Sequence, residues 1–144
     1  KDYVQTFTEY RTNFYENPVD STNGMISNIS WSFISINPVN RDETGNFYYR
    51  WGLFVETYDS YDNAVKAYNI LIDKLGELTP EELKGSNTRN MIQDNRIYCV
   101  SAGCLEGRYV DEWFGTLTKL LLDGKEPEKN SVIVTGCGGE VEVK

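Results

Sequence analysis

The stretch Phe47–Thr57 reads FYYRWGLFVET, and its interpretation decides the fold. It is dense in aromatic and β-branched side chains, which suit a pleated, half-buried surface. Alternation sends Tyr48, Arg50 and Gly52 to one face and Phe47, Tyr49, Trp51 and Leu53 to the other. Upstream, Ile26–Asn37 alternates less regularly around Trp31, Phe33, Ile34 and Ile36 until Pro38 ends it. Asn40–Asn46, NRDETGN, lies between them and is turn chemistry throughout. The two segments predict a β-hairpin with a long polar loop.

Downstream, Asp59-Ser60 offers an N-cap. From Tyr61 the apolar positions Ala64, Val65, Tyr68, Leu71, Ile72, Leu75 and Leu78 keep to one face at the 3.6 period, which predicts a helix. Thr79-Pro80-Glu81-Glu82 is a second helix start, with a capping threonine, proline at the first position and a glutamate reaching back. Ser86–Asn95 is polar and indeterminate. Arg96–Ala102, RIYCVSA, alternates as a strand. Asp111 can cap a helix whose face is Val110, Trp113, Phe114, Leu117, Leu120 and Leu121, ended by Gly124. Val132 with Val134 and Val141 with Val143 alternate across Gly136-Cys137-Gly138-Gly139, as in a closing hairpin.

Upstream of the hairpin, Tyr3, Phe7, Tyr10 and Phe14 are spaced by four, three and four. That predicts an aromatic helix within residues 1–17, stopped at Asn17-Pro18, which docks on the core or serves self-association. The element order is thus α-β-β-α-β-α-β. Strands joined by helices run parallel and the hairpin antiparallel, so a mixed four-stranded sheet is expected. Each helix carries a single apolar stripe. The expectation is an α+β two-layer sandwich on a ferredoxin-like plan, both helices on one face, with a C-terminal hairpin, in one domain spanning residues 1–144.

Composition narrows the chemistry. The 144 residues contain no histidine, which removes Ser-His-Asp and Cys-His relays, HExxH zinc helices and histidine pH switches. Three cysteines cannot supply a four-thiolate zinc site, so no metal and no cofactor is expected. Net charge is 14 − 22 = −8, which repels phosphate backbones and anionic lipid but suits a basic groove on another protein. No run approaches the roughly 20 apolar residues that cross a bilayer, and no membrane insertion is expected. A chain opening at Lys1 reads as a processed mature form or an excised domain. Cys104 can pair with Cys99 or with Cys137, leaving one thiol over either way. Asn28-Ile29-Ser30 is an N-glycosylation sequon.

Other resemblances fail on their own chemistry. Asn40-x-Asp42-x-Thr44-Gly45 imitates half of a calcium loop, but its first and twelfth positions are Asn40 and Trp51. The Gly136–Gly139 run lacks a following helix to aim N–H groups at an anion. Paired acids such as Asp59 with Asp62 and Glu81 with Glu82 are explained by helix starts. The aromatic load, ten tyrosines, three tryptophans and six phenylalanines, exceeds what two helix stripes and a small sheet need. Tyrosine, tryptophan and arginine anchor protein interfaces, and a bare aromatic sheet face can also stack sugars.

The reading that follows is a non-enzymatic, acidic protein-binding module. An inhibitor of a basic nucleic-acid-handling enzyme, of the phage or mobile-element type and acting in the host cytoplasm, fits its charge and size. Tyr48, Arg50, Asp59, Asp62, Glu81 and Glu82 are its expected partner-binding residues; Tyr3, Phe7, Tyr10 and Phe14 serve self-association. Two alternatives stand beside it. One is the mature domain of a secreted or surface protein, a filament subunit or adhesin, with Cys104–Cys137 bridged. The other is a carboxylate-dependent hydrolase.

Overall fold

The computed structural model describes residues 10–38, 40–42, 45–104 and 107–144. Tyr3 and Phe7 lie outside them. Seven strands form one sheet in the order β1-β2-β5-β7-β6-β8-β9, every neighbouring pair antiparallel. They are β1 (Tyr10–Glu16), β2 (Met25–Ser35), β5 (Arg50–Tyr58), β6 (Thr88–Gln93), β7 (Arg96–Ala102), β8 (Val132–Thr135) and β9 (Val141–Val143). A separate two-stranded ribbon, β3 (Asn40–Asp42) with β4 (Gly45–Phe47), occupies the β2–β5 connection. Among the described residues three α-helices complete the fold: α1 (Tyr61–Glu77), α2 (Pro80–Leu83) and α3 (Gly107–Leu121).

The four-stranded, ferredoxin-like mixed sheet is therefore overturned, for three physical reasons. The first concerns the segment read as an aromatic helix, which from Tyr10 onward is strand β1, paired residue by residue with β2. A spacing of four satisfies a helical turn, but it is also even, so Tyr10 and Phe14 share a face in a strand as well. The second is that polar Thr88–Gln93, TRNMIQ, is β6, an interior strand paired on both sides. It forms a hairpin with β7 across Asp94-Asn95, where Asp94 takes a left-handed φ of 52°. Third, β5 and β6, joined through α1 and α2, do run parallel, as do β7 and β8, joined through α3. Each crossover skips one position, and the hairpin fills it with an antiparallel strand.

The helices do not share a face. In β7, Ile97 packs with α1 through Ala64 and Tyr68, whereas Tyr98 and Val100 pack with α3 through Val110, Trp113, Phe114 and Leu117. Successive strand residues point to opposite sides, so α1 and α3 cover opposite faces.

The α3 face is built of rings. Phe33 and Trp51 stack at 3.9 Å, Trp51 and Trp113 at 5.0 Å, and Tyr10 stands edge-on to all three. A buried ring of this kind removes about 150–250 Å² from water, an upper estimate of roughly 4–6 kcal/mol at about 25 cal/mol per Å². The set Tyr49, Trp51 and Leu53 thus packs against α3. Leu120, read as part of the buried stripe, is 74% exposed on the back of α3.

Two clasps fix the ends of α3 and α2. Arg89, buried, donates from Nε to Asp111 Oδ1 at 2.6 Å and from Nη1 to the carbonyls of Thr88 and Thr135 at 2.9 and 3.0 Å. Asp111 thus binds α3 to the sheet rather than capping its first turn. Cys104 and Cys137 form a disulfide across 33 residues, tying the segment before α3 to the β8–β9 turn. That turn lies against α2: Gly139, at φ 89°, has Pro80 backbone where a Cβ would project, so both its conformation and its space demand glycine.

Candidate functional site

Helix α1 covers only part of its face. Ala64 and Tyr68 pack over Met25, Tyr58, Ile97 and Ile133 at one end of the strands. Beyond them the strands present short polar side chains in two cross-sheet rows given by the pairing register. One row is Tyr15, Ser30, Phe54, Cys99 and Asn90; the next is Asn13, Ser32, Gly52, Ser101 and Thr88. An antiparallel sheet face left to water carries such residues, and the rings of Tyr15 and Phe54 are the exceptions.

Phe54 is 42% exposed and belongs to none of the buried clusters. A Cβ at position 52 would lie 2.9 Å from its ring, so the ring rests over Gly52 along its own strand. Two open troughs meet at it. The larger, about 600 Å³, runs along α1 and is lined by Ile70, Leu71 and Lys74 on the helix and by Glu56, Asn90 and Ser101 on the sheet, among others. The smaller, about 500 Å³, extends toward Tyr15, Ser32 and Arg50.

The polar groups of the larger trough are held in a local network. Asn17 donates from Nδ2 to Ser30 Oγ at 3.0 Å and to Asn28 Oδ1 at 3.5 Å. The sequon's Asn28 thus lines the larger trough and its Ser30 the smaller one. Tyr58 donates its hydroxyl to Glu56 Oε2 at 2.9 Å. Burial raises the Tyr58 phenol well above its ordinary range, and the Glu56 hydrogen bond and charge add to this. Cys99 is pushed up to about 12 by burial and then by the Glu56 charge, so its thiol stays protonated and is a poor nucleophile. Glu56 is the one carboxylate lining either trough among the described residues, and glycoside hydrolysis needs two.

The expected partner-binding residues do not converge. Asp59 and Asp62 sit at the start of α1, where Asp59 accepts from Asn63 Nδ2 at 2.7 Å. Glu81 and Glu82 belong to α2, past the other end of α1, about 25 Å away for 17 residues at about 1.5 Å rise. Glu82 is occupied in a capping box, accepting from the Thr79 backbone N–H at 2.7 Å, which lowers its pKa; Glu81 pairs with Lys84 at 3.7 Å. Tyr48 is half-buried in the turn after β4, and Arg50 is exposed at the start of β5. Of the self-association set, Tyr10 is buried in the chain's own aromatic core and Phe14 is 52% exposed on β1.

The trough residues were missed because their types are ordinary for a solvated strand. The legible signal was Gly52 with Phe54, two apart in a strand and therefore on one face. Among the described residues no helix is long and apolar enough to cross a membrane. In comparisons with known proteins, no family model, no curated protein and no solved structure matches the chain.

Proposed function

We propose that the chain is a non-enzymatic, acidic binding module that holds another protein by surface complementarity. The observation that carries this is the half-covered sheet face, which displays Phe54 and Tyr15 at 42% and 50% exposure. Half-exposed aromatic rings rimmed by polar groups are the usual anchors of recognition surfaces. With a net charge of −8, the partner surface is basic; an enzyme that handles nucleic acid is one such partner. Capture of the partner from the native source, followed by affinity measurement across ionic strength, tests this. Affinity that falls steeply with salt is expected, and salt-insensitive binding overturns the charge-driven reading.

The Cys104–Cys137 bridge favours a second reading of where the module works. Disulfides persist in oxidising compartments and are rare in the cytosol. On that reading the chain is the mature domain of a secreted or surface protein, such as an adhesin or filament subunit. Thiol titration of native material under denaturing conditions should find one free thiol, Cys99. Three free thiols would return the module to a reducing compartment.

A further inference from the structure

We propose that the trough beside α1 binds a neutral pyranose ring of a glycan, stacked on Phe54 and held by the hydroxyl, amide and charged groups around it. The inference goes beyond the protein-partner reading and stands without it. A pyranose offers one apolar C–H face and a rim of hydroxyls that both donate and accept. Its binding site needs a flat apolar platform and polar groups of both kinds at the platform's edge.

The trough supplies these elements. Phe54 provides the platform, posed by the missing side chain of Gly52. The ring is 42% exposed, so its face is open to the trough. Ile70, 51% exposed on α1, extends the apolar wall. Around them stand Ser101 as donor and acceptor, Glu56 as acceptor and Lys74 as donor, while the Asn90 amide is buried in the floor and donates to Thr88 Oγ1 at 3.2 Å. Glu56 gives one oxygen to Tyr58, leaving the other for a ligand. The trough of about 600 Å³ lies within the about 300–1,000 Å³ range of small-molecule sites.

Charge selects against the alternatives. Glu56 and Lys74 line the same trough with opposite signs, so the lining has no net charge to reward an ion. A nucleobase would stack equally well, but its phosphates meet a protein of net charge −8.

The test is an NMR titration of the isotope-labelled full chain with the methyl glycosides of glucose, galactose, mannose and N-acetylglucosamine. N-acetyl-lysine amide serves as a charged probe of the partner type. At least one glycoside is expected to give saturable shifts centred on Gly52, Phe54, Ile70 and Ser101, unchanged by added salt. Phe54→Ala should weaken that binding by roughly tenfold or more. Gly52→Ala, which drives a Cβ into the ring's position, should weaken it several-fold without lowering Tm, because alanine is no worse than glycine in a strand. No shift with any glycoside, shifts away from the trough, or undiminished binding by Phe54→Ala would each overturn the assignment. Saturation of the trough by the lysine probe alone would also overturn it while supporting the basic-partner reading. A glycoside response alongside salt-insensitive partner binding would do the reverse.

Discussion

Under α3 the sheet meets the helix with stacked and edge-on rings: Phe33, Trp51, Trp113 and Tyr10 fill the space with hardly any solvent-facing surface. Under α1 the same strands show Tyr58 and Ile97 at one end, then serines, asparagines, a glycine and a half-exposed Phe54. The strands are shared, so the difference is written in alternate residues of one sequence. In β5, Trp51, Leu53 and Val55 go to the packed side, while Gly52, Phe54 and Glu56 go to the open side. The packed face thus carries most of the core while the open face is left half-covered, and substitutions at adjacent positions should have very different consequences.

The largest effect is expected at the packed face. Trp113→Ala removes a ring stacked on Trp51 and should cost about 3–5 kcal/mol, read as a lowered denaturant midpoint. A cost below about 1 kcal/mol would mean that the α3 face is not the principal core. Next comes the bridge, which closes a loop of 33 residues; Cys104→Ser with Cys137→Ser should cost roughly 3–4 kcal/mol on loop-closure entropy. Reduction of the native protein should reproduce the loss. Arg89→Met should cost roughly 2–4 kcal/mol, since it strands the buried carbonyl of Thr135 and releases the start of α3. Asp111→Asn should cost less, because that side chain is 67% exposed and water replaces part of the contact.

How much of this asymmetry could be read beforehand depends on the kind of signal. The β2–β5 hairpin, α1 with its Ser60 cap, the capping box at Thr79–Glu82 and the closing β8–β9 hairpin all rest on local chemistry and were legible. Strand β6 was not, since TRNMIQ owes its place to partners on both sides and to a buried arginine whose acceptors come from β8 and α3. The covered face was not legible either: one apolar stripe says that a helix packs, not on which side. Yet β5 carried a clue, because Trp51 and Leu53 lie on one face and Phe54 and Tyr58 on the other. A strand greasy on both faces asks for helices on both. The bridge was half legible. Cys104 had two partners by spacing, and only the fold turns Cys99 into the trough and brings Cys137 to 5.8 Å between Cα atoms.

Alkaline pH separates the faces more gently. Tyr68 is pushed up to about 12 from an ordinary 10.0 by burial, and Cys99 to about 12 from 9.0 by burial and then by Glu56. Tyr58 is raised as well. All three lie on the α1 face. A raised acid pKa means that the unfolded chain releases its proton first, so the stabilising contribution is complete below about pH 9. It is then lost progressively as pH climbs toward 12. Stability measured by denaturant at successive pH values should fall across that window. Tyr68→Phe should make the fall shallower while costing about 1 kcal/mol at neutral pH for the lost bond to the Asn130 carbonyl. An unchanged slope in that variant would move the alkaline sensitivity away from α1.

The smallest stability effect is expected on the open face. Phe54 is a member of none of the buried clusters and is already 42% exposed, so Phe54→Ala should change stability by less than about 1 kcal/mol. Trp51, three residues earlier on the same strand, should cost several times that when truncated, since it stacks on both Phe33 and Trp113. The ratio of the two costs is the sharpest measure of the division between faces. If Phe54→Ala destabilised the chain as much as Trp51→Ala, the ring over Gly52 would be a strut of the fold. A small cost leaves it as an aromatic surface that folding does not require.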